Sequence, residues 1–114
     1  MTDPELPFDA LSALRVDLVG RIAATEADLR AVAEATEGAN TDDKHDPEGA
    51  TIAWERQQAA ASRDRLRARL AAVDAAIVRV ETGTYGRCEV CGRPIGAERL
   101  AARPDVATCV ACAR

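Results

Sequence analysis

Apolar residues recur with a helical period along two long stretches of the chain. In the first, Leu11, Leu14, Leu18, Ile22, Thr25, Leu29 and Val32 follow one another at steps of three or four, with one stutter. The second is stricter. Ile52, Arg56, Ala59, Arg63, Leu66, Leu70, Val73, Ile77 and Val80 alternate steps of four and three without a break. Such spacing places a narrow stripe on one helix face, which suits a seam between two helices. Pro7 and Phe8 are expected to precede the first helix and Gly38 to stop it. Asp46 and Pro47 read as N-cap and first residue of the second helix: the carboxylate accepts orphan amides, and proline has no amide to orphan. Gly83 should end that helix, and a short helical turn is expected across Ala97–Ala102, halted by Pro104.

Near-equal helices of about 45–52 Å joined by a short loop fold back as an antiparallel hairpin. Pairing positions whose numbers sum to about 84 sets Leu18 against Leu66, Leu14 against Leu70 and Leu11 against Val73, so both stripes share one register. The predicted fold is mainly α: a long antiparallel coiled-coil helical hairpin with a small C-terminal four-cysteine zinc-finger lobe. Residues 1–82 form the hairpin, with its acidic tip at 39–50, and residues 83–114 form the lobe, packed at the hairpin base. Toward the tip the seam weakens, because Arg56 and Arg63 hold core-type positions. They are expected to snorkel toward Glu26 and Asp28. Trp54 is expected to pack, and the lone His45 to be solvated.

Composition agrees with a thin core. Aromatic residues are only 3% of the 114, and alanine, which buries little area, fills about a fifth. Formal charge is −4, which argues against a general nucleic-acid binder, since that needs a basic excess. The charge is also localised. Glu37, Asp42, Asp43, Asp46 and Glu48 face Lys44 alone, so the stretch 37–50 carries the whole surplus and the rest of the chain sums to zero. No apolar run is long enough for a membrane span, and acids stand near the N-terminus where a signal peptide carries Lys or Arg, so a cytoplasmic location is expected.

All four cysteines lie in the C-terminal lobe, as Cys88-x2-Cys91 and Cys109-x2-Cys112. Each pair forms a turn that aims two thiolates at one point, and four thiolates close a tetrahedron around one structural Zn2+. The alternatives are disulfides, which a reducing cytosol disfavours, and a CxxC redox site, which lacks its strand–helix context here. A closed shell leaves no position for water, so hydrolytic zinc chemistry is excluded and no catalytic residue is expected. Gly92 suits the knuckle after Cys91, and Arg87 and Arg93 are placed to offset the charge of a four-thiolate zinc centre. A lobe of this size cannot fold on its own core, which is a physical reason for a metal. Tyr85, Ile95, Leu100 and Val106 are its sizeable apolar groups, and some should pack on the hairpin base near Leu6, Phe8, Ile77 and Val80.

The run Thr84-Tyr85-Gly86-Arg87-Cys88-Glu89-Val90-Cys91-Gly92, with Ile95-Gly96, Arg99-Leu100, Ala102-Arg103-Pro104 and the closing cysteine pair, resembles the zinc finger of the DksA/TraR family. The acidic-tipped hairpin is similar to the rest of that family's body. The resemblance implies a bacterial transcription regulator that binds RNA polymerase directly, without contacting a DNA sequence, and inserts its hairpin into the secondary channel. Some members act together with ppGpp, which makes it a candidate co-effector. The polymerase-contacting tip would be Asp42, Asp43, Asp46 and Glu48. Well-known members resemble Asp-x-x-Asp-x-Ala at the start of the second helix. Here Asp46 matches the first aspartate, Gly49 stands in place of the second and Thr51 in place of the alanine.

Three other functions compete with this one. A zinc-finger nucleic-acid binder fits poorly, because five arginines against three acids in the lobe are cancelled by the thiolates. A Gre-like transcript-cleavage stimulator would use Asp42 and Asp43 to hold a second Mg2+, but the four-cysteine lobe resembles DksA/TraR instead. A zinc-stabilised coiled coil with some other protein partner is the third.

Overall fold

A computed structural model describes residues 5–38 and 47–113. Helix α1 runs Glu5–Gly38 over 34 residues and α2 runs Pro47–Thr82 over 36. The short helix α3 spans Ala97–Ala102, as expected. At 1.5 Å per residue the two long helices reach about 51 and 54 Å. They pack along each other, and with the lobe the chain makes an elongated body of 64 × 27 × 19 Å. The radius of gyration is 19.7 Å, against about 13 Å for a compact domain of this length. Among the described residues there is no strand, only an isolated bridge between Arg87 and Pro94.

Most helix limits fall where the sequence placed them, with one correction. Pro7 and Phe8, expected ahead of α1, are its third and fourth residues. The first four amides of a helix have no acceptor within it, so proline there forfeits no hydrogen bond. Helix α2 begins at Pro47 and ends before Gly83, which has φ +81°. There Gly83 N–H donates to Val80 O at 3.3 Å and Thr84 N–H to Arg79 O at 2.9 Å. That is a Schellman termination, whose left-handed residue carries no steric penalty when it is glycine.

Both stripes enter one core. Leu11 and Leu18 of α1 and Val73 and Ala76 of α2 are buried, with Leu14, Leu66, Leu70, Ile77, Val80 and Tyr85 packed around them. Ala76 lies off the predicted stripe, yet its exposure is 0%. Its small side chain fits where the helices approach closely. All of this core belongs to the half of the hairpin nearest the lobe. Toward the tip the seam opens: residues 51–58 are all exposed, and Trp54, expected to pack, is 62% exposed. Two helices alone can cover only a stripe of each other, and alanines and arginines fill little of it. Thr25, the polar member of the first stripe, directs its hydroxyl to Arg21 O at 2.9 Å and so leaves no donor unmet in the seam.

Ion pairs cross between the helices at Arg15–Asp74, 2.7 Å, and Arg67–Glu26, 2.8 Å. It is therefore Arg67 that reaches Glu26, whereas Arg63 turns to its neighbour Asp64 at 3.3 Å. Both cross-helix partners on α2 lie nearer the lobe than the expected register sum would put them. Side chains lean toward their own helix N-terminus, which in antiparallel helices displaces the meeting point in that sense. No helix among the described residues is long and apolar enough to cross a membrane.

Candidate metal centre

Beyond α2 the chain makes two knuckles. In the first, the Arg87–Pro94 bridge is flanked by Cys88 N–H to Arg93 O and Ile95 N–H to Gly86 O, both 2.8 Å. This small loop folds Cys88 and Cys91 onto one side, and Gly92 N–H closes the turn on Cys88 O at 2.9 Å. Gly92 has φ +75°, a conformation that a side chain would strain, which explains glycine directly after Cys91. In the second knuckle, Cys109 O accepts from Cys112 N–H at 3.1 Å and Ala113 N–H at 3.0 Å. Glu89 N–H to Ala107 O, 2.9 Å, joins the two knuckles.

The result brings all four cysteines together, with their sulfurs within 4.8 Å of one another. Cys91 Sγ and Cys109 Sγ are 3.7 Å apart. A Zn–S bond of about 2.3 Å implies a tetrahedral edge of roughly 3.8 Å, so the spacing fits one zinc ion. It does not fit a disulfide, whose sulfurs stand about 2.05 Å apart. Cys88 is 3% exposed and packs with Ile95 and Val106, with Leu100, Cys109 and Cys112 against them. This cluster is the lobe's own core. Tyr85 belongs to the other core, on the hairpin, and is the expected apolar bridge between lobe and base.

Local electrostatics prepare the sulfurs unequally. The backbone amide of Cys91 first, then that of Cys109, holds the Cys88 thiol at about 6, well below the ordinary thiol range. Cys109 is also lowered, first by the amide of Cys112. Cys112 goes the other way, pushed up to about 12, first because its thiol donates a hydrogen bond to the Cys109 sulfur. The mechanism is plain: thiolates this close repel, and only a dication lets all four ionise together. Such a four-sulfur set is the donor set of a structural zinc site, which would brace the fold of the lobe. Arg87 and Arg93, expected near the centre, are both exposed, and Arg87 Nη1 donates to Gly92 O at 3.4 Å across the first knuckle.

Of the predicted tip, Asp42, Asp43 and Asp46, with His45, lie outside the described residues. Glu48 is in the first turn of α2, with its side chain outside the description. One feature escaped sequence reasoning: Asp105, buried at 4% exposure between lobe and stalk. A lone acid between Pro104 and Val106 carries no periodic signal that could have revealed it.

A helical hairpin bearing a compact four-cysteine centre defines the chain as a C4 zinc-finger protein of the helical-hairpin kind. The finger is of a particular type: residues 83–114 match the prokaryotic dksA/traR C4-type zinc finger, as the sequence resemblance implied. Over 43 residues the chain is 54% identical to the RNA polymerase-binding transcription factor DksA of Caulobacter vibrioides, covering 38% of this chain and 30% of that protein. Over 51 residues it is 39% identical to the factor of the same name from Escherichia coli K12, covering 45% and 34%. The matched segments thus span about a third of these relatives. In three dimensions the likeness is broader: transcription factor DksA2 from Pseudomonas aeruginosa superposes with a TM-score of 0.77 at 28% identity, over 95% of this chain and 78% of that one.

Proposed function

We propose that this protein is a bacterial transcription regulator that binds RNA polymerase directly and acts by inserting the hairpin tip into the secondary channel. The observation that carries this reading is the combination of a slender two-helix stalk, within an elongated body of 64 × 27 × 19 Å, with a dksA/traR-type finger. In this reading residues 1–82 are the inserting unit and 83–114 the anchor. Cys88, Cys91, Cys109 and Cys112 hold one structural Zn2+, and the protein works in the cytoplasm as a binding factor, not as an enzyme. Asp42, Asp43, Asp46 and Glu48 form the polymerase-contacting tip. A concentrated negative charge on a neutral shaft is drawn toward a basic channel and the Mg2+ of a polymerase active centre. Exposed Trp54 stands within two turns of the start of α2 and adds an aromatic contact beside the acids.

The test is co-purification with core RNA polymerase and multi-round transcription, comparing the wild type with the Asp42/Asp43/Asp46→Ala variant, each with and without ppGpp. The wild type should be retained by the polymerase and alter transcript yield, and the variant should be retained with the effect on yield lost. Unchanged yield with the variant would remove the tip from the mechanism, and absence of the wild type from the polymerase fraction would overturn the reading as a whole. Release of shortened RNA from stalled polymerase would instead favour a cleavage factor.

A further inference from the structure

The finger meets the stalk in a lopsided way. Helix α3 stands off both long helices, and a cleft of about 570 Å3 separates Pro7 and Ala10 of α1 from Leu100, Ala101 and Pro104 of the lobe. On the α2 side, three consecutive residues are held, the first by Tyr85 just beyond α2 and the next two by arginines of α2 itself. Tyr85 donates its hydroxyl to Pro104 O at 2.9 Å, Arg69 Nη2 faces Asp105 Oδ1 at 3.7 Å, and Arg79 Nη2 donates to Val106 O at 3.5 Å. The carboxylate of Asp105 is 2% exposed, while the side chain of Arg69 is 42% exposed. Asp105 Oδ1 and Arg79 Nε are both buried without a hydrogen bond of their own.

A carboxylate taken out of water needs a facing cation, and without one the buried state is strongly disfavoured. Lifting the 104–106 segment off α2 would return Asp105 to water. Docking of the finger is therefore conditional on Arg69, with Arg79 holding the next residue through Val106 O, in a way that a purely apolar contact would not be. We propose that Asp105 with Arg69 and Arg79 is a charge latch: it fixes the angle of the zinc finger on the stalk while Arg69 faces Asp105 and frees the finger when that charge is removed. The latch stands whether or not the partner is a polymerase, because it concerns only how two parts of this chain are joined.

Residual dipolar couplings of backbone amides, measured on the zinc-loaded full chain in a dilute aligning medium, test this. In the wild type one alignment tensor should fit the amides of α1, α2 and the finger. Arg69 is exposed, so Arg69→Gln leaves the hairpin core intact. With a bare carboxylate left buried against the remaining Tyr85 and Arg79 bonds, it should loosen the finger so that its amides need a second tensor of smaller magnitude, with one zinc per chain retained. Arg69→Gln combined with Asp105→Asn removes the stranded charge and should restore a single tensor, and Arg69→Lys should keep one throughout. Two tensors in the wild type, one tensor in Arg69→Gln, or a double variant no better ordered than the single would each overturn the latch. Asp74→Asn, which breaks an exposed pair elsewhere on the stalk, is the control and should change nothing.

Discussion

Leu11 is the most informative residue for asking what holds the stalk together. It has 0% exposure and sits in the cluster of Leu18, Val73 and Ala76. Leu→Ala deletes three carbon-equivalents, or about 2.4 kcal/mol at roughly 0.8 kcal/mol per buried methylene. A partly collapsed cavity adds to this, so the total falls in the range of about 2.7–5 kcal/mol found for buried leucines. A small domain has only about 5–15 kcal/mol in all. Leu11→Ala should therefore remove a large share of the stability, lowering the melting temperature by roughly 10–40 °C at about 4–8 °C per kcal/mol. The assay is urea and thermal unfolding of zinc-loaded protein, followed by helical circular dichroism. Val16→Ala on the same helix is the control: Val16 is 74% exposed, so its loss should stay within about 0.5 kcal/mol. If Leu11→Ala cost under about 1 kcal/mol, matching the control, the seam near the lobe would not be what joins the helices.

Two further outcomes follow from the lobe. Zinc uptake at pH 7 should release at least one proton per chain, since Cys112, pushed up to about 12, is still a thiol there, whereas Cys88, at about 6, is already largely thiolate. Zinc affinity should correspondingly fall as pH falls. Calorimetry in buffers of different ionisation enthalpy measures the release, and a buffer-independent enthalpy would refute it. Gly83→Ala should destabilise α2 by about 1 kcal/mol, because a Cβ at φ +81° is strained although nothing lies within 4 Å of it. Unfolding midpoints check this, and no shift would mean that the helix ends some other way.

Periodicity made the two long helices legible, because a stripe repeating at three and four residues has only one way to be buried by a second helix. The cysteine pairs made the metal centre legible for a similar reason: CxxC is a local turn, and local geometry survives any tertiary context. Even Gly83 and Gly92 announced themselves, since each occupies a backbone conformation closed to most other residues. What tertiary structure decided was everything that depends on which surfaces finally meet. The position of Ala76 inside the core, the exposure of Trp54 and the turn of Arg63 to Asp64 rather than across the seam all depend on how closely two helices approach at each level. Asp105 is the clearest case. Its burial comes from a segment folding back onto α2, against the distant Arg69, and long-range contacts of that kind leave no period and no motif in the sequence.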